Sequence, residues 1–311
     1  MMSFLVLNGH PHSPAAPQID VPWWSFTKTV LAATALTLVR DGRVGLDDPV
    51  PEGPFTLRQL LRHEAGLADY HELAAYRSAV AQHDAAWPAD DMLRRLDAQA
   101  LHDAPGSAWH YSNVGYLYVT RLIERTTGLT LAQALHQRAF APLGMASVRL
   151  ARQRADLQGV AMGSASDYDP AWVYHGLLVG PLEQAATWLD RLLTGHLLPQ
   201  TLVHAMQTVH HLGGPIPGRP WTAPAYGLGL MHGPVDGGLI LSGHTGSGPG
   251  TVVAVYHARH GAASATCAVF AEGEDQGLVE AQAVKKLQHA LEIEPIPTPP
   301  IKNLGNEIDS H

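Results

Sequence analysis

The sequence predicts an α/β fold, with a central antiparallel sheet flanked by helices and a mainly helical second region. Three observations predict it. Residues 46–141 alternate helix-forming segments with short loops. Residues 238–271 hold short apolar or β-branched runs separated by glycine-containing turns, the pattern of an antiparallel meander. A helix-forming stretch at about 277–291 closes the pattern.

Taken in order, residues 3–7 form a short apolar run ended by Asn8-Gly9, which predicts one strand and a turn. A proline- and histidine-rich loop follows. Residues 25–40, SFTKTVLAATALTLVR, contain no Gly or Pro and stop at Asp41-Gly42, so they predict a largely buried helix. Further helices are expected at 56–62, 71–83, 89–97, 112–127 and 130–141, then at 181–194 and 199–208. Residues 213–224 carry too much Gly and Pro for an element interior and predict a loop. Strands are expected at 238–242, 250–257 and 265–271. The expected organisation is a discontinuous sheet domain from residues 1–45 and 225–293, a mainly helical domain at 46–224, and an extended or disordered tail at 294–311, where four prolines leave little to bury.

Composition narrows the function. With 311 residues, 46% of them hydrophobic, the chain can bury one large core or two interlocked ones. Its net charge of −8 arises from 28 acidic and 20 basic residues without blocks of either sign, which argues against a nucleic-acid partner. The one cysteine, Cys267, lies in an apolar run and reads as a buried strand thiol. The first residues lack the layout of a secretory signal and no segment has the length of a membrane span, so a cytoplasmic protein with no membrane partner is expected. Nineteen histidines raise the question of a metal. There is no HExxH string, and the pair His210-His211 has no carboxylate nearby in sequence, so no metal is expected.

Three motifs carry chemistry. In Ser25-Phe26-Thr27-Lys28, residues three apart share a helix face, so the Lys28 amine can lie beside the Ser25 hydroxyl. A lysine whose pKa is lowered by burial can take the serine proton, and a helix start aims positive dipole at a reacting carbonyl. In Tyr111-Ser112-Asn113, a phenol near a lysine can shuttle a proton and the amide can contact substrate, while Ser112 or Asn113 can equally cap the following helix. In His244-Thr245-Gly246-Ser247, expected at a sheet edge, a substrate chain could lie along the strand, with Gly246 allowing close approach.

In this order the three motifs resemble the serine beta-lactamase and penicillin-binding-protein family, in particular its class C branch with esterase and DD-peptidase relatives. Flanking segments agree, among them Pro142-Leu143-Gly144-Met145 and Tyr226-Gly227-Leu228-Gly229, and the likeness runs from about Pro22 to Glu272. The resemblance implies a beta-lactamase-like fold. It also implies Ser25 as nucleophile, Lys28 and Tyr111 as general bases, Asn113 as a substrate amide contact, and His244 and Thr245 as recognition groups. The oxyanion hole would be the N–H groups of Ser25 and Ser247, and no cofactor is needed. The implied reaction is acylation of Ser25 and hydrolysis of the acyl-enzyme. The substrate would be an ester, a D-amino-acid peptide or amide, or a beta-lactam, with an ester favoured; the alternative is a non-catalytic binding or interaction domain.

Three departures qualify the resemblance. Only 24 residues precede Ser25, enough for about one strand, so the sheet is expected to lack an edge; a homodimer built there is one expectation, and an incomplete start site or an edge covered by the loop at 10–22 are the alternatives. His63-Glu64-Ala65-Gly66-Leu67 replaces the usual His-Thr-Ser-Gly-Leu. His244 stands where many beta-lactamases have lysine. An unperturbed imidazole titrates near about 6.5, so affinity for anionic substrates is expected to rise as pH falls from about 8 to about 6. Trp23, Trp24 and Trp109 flank the motifs, as pocket walls or as core.

Overall fold

A computed structural model describes residues 1–13 and 19–293; the expected tail at 294–311 lies outside the described residues. From the N-terminus come β1 (Met2–Leu7), β2 (His10–Pro11), β3 (Asp20–Pro22) and α1 (Thr27–Arg40). The middle holds α2 (Leu57–Arg62), α3 (Ala74–Ala81), α4 (Ala89–Leu96), α5 (Asn113–Thr127), α6 (Leu131–Leu135), β4 (Arg149–Ala151), β5 (Leu177–Pro181), α7 (Leu182–Leu193) and α8 (Gln200–Met206). The last part comprises β6 (His210–His211), β7 (Ala225–Tyr226), β8 (Met231–Pro234), β9 (Ile240–Gly248), β10 (Thr251–His260), β11 (Ala263–Glu272) and α9 (Gln276–Ala290).

The expected antiparallel sheet forms, with strand order β2-β1-β11-β10-β9-β8-β7-β6. Successive residues of β10 point to opposite faces. Val253 and Val255 join a core with α7 residues such as Trp188 and Leu189, while Val252, Ala254 and Tyr256 join a second core with Val279, Ala283 and Leu287 of α9. Covering both faces explains why these strands read as continuous apolar runs rather than alternating ones. Cys267 is buried in β11, as expected. In α1 every residue from Thr27 to Leu38 is buried, because the helix lies between α5, α6 and the sheet.

Several boundaries differ from the sequence reading. The expected helix at 71–83 is interrupted: Asp69 caps a short turn at Tyr70–Glu72, Leu73 is extended, and α3 begins only at Ala74. The expected helix at 130–141 loosens after α6 into a wider turn at His136–Phe140, then a tight one at Ala141–Leu143 where Pro142 sits. Strand β5 was not expected; it pairs with β3 and β4 in a separate three-stranded sheet. The segment before Ser25 therefore supplies three short strands, not about one. Of these, β1 lies along β11 for its whole length, and β2 covers only Val6 and Leu7 on its outer side. The Leu5 N–H donates to Ser13 Oγ and the Leu5 carbonyl accepts from the His12 N–H. The start of the loop thus covers part of the edge.

The division into residues 1–45 with 225–293 and residues 46–224 remains our proposal for the domain organisation. Within it, α7 comes from the second stretch and packs on β1, β10 and β11, so the sheet draws on both stretches.

Candidate active site

Ser25 does not begin α1 itself. It sits in a tight turn at Trp24–Phe26 just before the helix, and Trp24 adopts a positive φ of 41°. For a bulky residue that conformation is strained and must be held by its surroundings. The holding surface is β9. A Cβ on Gly246 would come within 2.6 Å of the Trp23 carbonyl oxygen and 2.7 Å of the Ser25 nitrogen, and one on Gly248 would strike the Trp24 ring. The Trp24 indole N–H also donates to Thr251 Oγ1 at 2.9 Å. Gly246 was expected to admit a substrate backbone. Instead it admits the turn that presents Ser25.

The expectation of an edge strand at His244–Ser247 is likewise corrected, because β9 lies between β10 and β8. Its pairing with β8 covers only Ile240–Gly243, however, so beyond Gly243 that edge of β9 is not paired by β8, and His244, Thr245 and Ser247 line the cleft.

Ser25, Lys28 and Tyr111 come together. The Lys28 amine donates to Ser25 Oγ at 3.1 Å, and the Tyr111 hydroxyl donates to the same oxygen at 2.9 Å. Lys28 is fully buried, and desolvation lowers its pKa from 10.5 to about 7, partly opposed by the negative charge of Asp69. Burial pushes the Tyr111 phenol above its ordinary range, so it is protonated near neutrality. A neutral amine can therefore accept the serine proton while the phenol stays a donor.

Two neighbours of Lys28 were missed by the sequence reading. His175, at the end of the loop before β5, places Nε2 3.2 Å from Lys28 Nζ. Desolvation and the Lys28 charge drive its pKa well below the usual imidazole value, so it stays neutral beside the amine. Asp69 is nearly buried. Desolvation opposes its charge, but hydrogen bonds from His71 and Asn113 outweigh that and hold its pKa below the ordinary carboxylate value. Neither residue belongs to a recognisable spacing. His175 lies 147 positions from Lys28 and Asp69 lies 44 from Asn113, so only folding reveals the contacts.

The remaining expected groups are placed as follows. Asn113 faces the cleft, but its amide N–H groups are directed at Asp69 Oδ1 and Oδ2, at 3.2 and 2.9 Å. Ser112 caps α5 by accepting from the Gly115 N–H. Ser247 lines the same cavity as Ser25. Thr245 donates its hydroxyl to Glu280 and meets the Tyr256 hydroxyl at 2.7 Å, so its side chain is committed to a buried network that Arg219 completes by pairing with Glu280. His244 is buried between the Tyr226 hydroxyl and the Thr245 carbonyl, and desolvation takes its pKa down to about 3. The expected gain in affinity for anions between about pH 8 and about 6 is therefore withdrawn, because this imidazole is neutral throughout that range.

Two cavities meet at Ser25. One, of about 600 Å³, is lined by Trp109, Asp69, Arg219, His244 and Ser247 among others. The second, of about 830 Å³, is walled by Trp24, Tyr70, Tyr76, Tyr168 and His175. Trp24 and Trp109 thus line the cleft, whereas Trp23 is core, packed on Phe26 and Phe140. His210 has a carboxylate partner after all: its Nδ1 lies 2.8 Å from Glu64, a residue 146 positions away.

A serine, a fully buried lysine and a tyrosine gathered between an antiparallel sheet and a helical layer resemble the centre of a class of active-serine proteins. The chain belongs to the beta-lactamase family, whose model matches residues 8–285. It is 30% identical over 235 residues to a D-aminopeptidase of Cereibacter sphaeroides, an alignment covering 71% of this chain and 43% of that protein. The chain thus spans less than half the length of that relative. Solved structures of similar fold include a D-stereospecific amidohydrolase from Streptomyces sp., with a TM-score of 0.72 and 24% identity over 91% of this chain and 92% of the other. A D-amino acid amidase from Ochrobactrum anthropi SV3 has a TM-score of 0.74 and 23% identity over 94% and 92%. No helix among the described residues is long and apolar enough to cross a membrane.

Proposed function

We propose that the chain is a serine hydrolase acting on small acyl compounds that carry a free amino group, foremost amides and esters of D-amino acids. The observation that carries the reading is the convergence of Lys28 and Tyr111 on Ser25 Oγ. In the first step neutral Lys28 takes the Ser25 proton as Oγ attacks the acyl carbonyl, and the N–H groups of Ser25 and Ser247 hold the oxyanion. Tyr111 then donates its proton to the departing amine or alkoxide and regains one from the Lys28 ammonium. Water attacks the acyl-enzyme by the reverse relay.

The substrate class rests on charge. His244 supplies no cation for a substrate carboxylate, and Arg219 is already paired with Glu280. Asp69, by contrast, is an anion in the cleft wall that makes no direct ion pair with a lysine or arginine among the described residues, suited to a substrate ammonium. The aromatic cavity suits an apolar side chain. The names of the D-aminopeptidase and amidase relatives support the D configuration. A simple neutral ester fits the same centre and is the second reading, favoured by the neutral His244. We further propose a homodimer built at the outer edge of β1.

Two measurements test the reading. A fluorophosphonate probe should label the protein at Ser25, and Ser25→Ala should abolish labelling with the fold intact; labelling retained at another serine would sink the assignment. In a panel of D- and L-phenylalanine amides, N-acetylated amides, nitrophenyl acetate and a chromogenic cephalosporin, the free D-amide should be turned over best. Preference for the cephalosporin or the N-acetylated amide would overturn the substrate class.

A further inference from the structure

We propose that Glu72, His102 and His110 form a binding site for a divalent transition-metal ion, with zinc the best match to the donors, at the rim of the cleft. Their ligand atoms, one carboxylate oxygen and two imidazole nitrogens, lie within 4.8 Å of one another. His110 Nε2 is 2.9 Å from Glu72 Oε1 and His102 Nε2 is 4.0 Å from Glu72 Oε2. Zinc bound at roughly 2.0–2.2 Å in a tetrahedron would hold such atoms roughly 3.4 Å apart, a small side-chain adjustment from these positions. Two imidazoles and one carboxylate suit zinc and its neighbours and are a poor set for magnesium or calcium, which take oxygen.

The three backbones are already fixed. The His102 N–H donates to the Gly66 carbonyl and the His110 N–H to the His63 carbonyl, each at 2.8 Å, and the Glu72 N–H donates to Asp69 at 2.9 Å. Little chain order would have to be created on binding, which favours affinity. All three side chains are partly exposed, leaving a path for the ion and a fourth position for water. The alternative pair, His210 with Glu64, has no third ligand among the described residues.

An ion here would tie together the segments that carry Asp69 and Tyr111. His110 immediately precedes Tyr111, and Glu72 ends the turn that Asp69 begins, with its Oε1 accepting from the Asp69 N–H at 3.4 Å. No sequence spacing announces the trio, since Glu72 lies 30 positions before His102.

Zinc chloride titrated calorimetrically into the full chain at neutral pH tests the site. One tight site per chain is expected, with binding weakened at least roughly tenfold in Glu72→Gln and in His102→Ala, given that even outer partners of a ligand are worth that much. His210→Ala should bind as the wild type does. Zinc should also raise the melting temperature of the wild type and of His210→Ala, but not of the other two variants. Circular dichroism would establish that each variant is folded before titration. Wild-type affinity in both Glu72→Gln and His102→Ala, or no zinc bound by the wild type, would overturn the proposal.

Discussion

The Lys28 amine is fully buried, and its pKa of about 7 divides it between ammonium and free amine near neutrality. If it takes the Ser25 proton, only the free amine is competent, so kcat/KM should climb through about pH 7 and level off above it. Asp69 raises this pKa by attraction for the ammonium. Asp69→Asn should therefore move the climbing limb to lower pH, because losing a negative neighbour favours the neutral amine. Nitrophenyl acetate is the substrate to use, since it has no ammonium for Asp69 to hold. An unmoved limb, or one displaced upward, would remove Lys28 as the titrating base.

At the scale of elements, the Ser25 turn depends on the fit between β9 and the start of α1. Gly246 and Gly248 lie on one face of β9, and each is closed to a Cβ by the Trp23–Ser25 segment. Gly246→Ala would press against backbone atoms, which cannot swing aside as a side-chain end can. The expected loss is about 1–3 kcal/mol, the usual range for forcing extra atoms into a packed interior. Because the strain falls on the turn carrying the proposed nucleophile, labelling of Ser25 should slow more than the loss of stability alone explains. A thermal melt and a labelling time course on the same variant check this, and unchanged values in both would show that the turn tolerates displacement.

For the molecule as a whole, the open question is the outer edge of β1. Leu5 directs its N–H and carbonyl outward to Ser13 and His12, so by strand alternation Ser3 also points its polar backbone outward. No strand pairs with Met2–Phe4 on that side among the described residues. A second copy pairing there would satisfy these groups. Light scattering should then give a dimer mass, and Ser3→Pro, which removes an outward N–H while leaving the β11 side untouched, should return the monomer. A monomer at high concentration in the wild type would discard the dimer.

The sequence alone determined the family and the order of the main elements. Serine and lysine three positions apart, Tyr-Ser-Asn before a helix, and Thr-Gly on a strand are local patterns, legible because helix and strand periodicity fix which neighbours share a face. It also offered Ser112 or Asn113 as a helix cap, since a cap acts within one turn, and the structure shows Ser112 in that place. What it left open depended on contacts between distant residues. His175 reaches Lys28 across 147 positions, and the Thr245 hydroxyl reaches Glu280 across 35. The state of His244 shows the reason most plainly. An isolated imidazole titrates near neutrality, and only burial between Tyr226 and Thr245 takes it to about 3, because desolvation is a property of the packed surroundings.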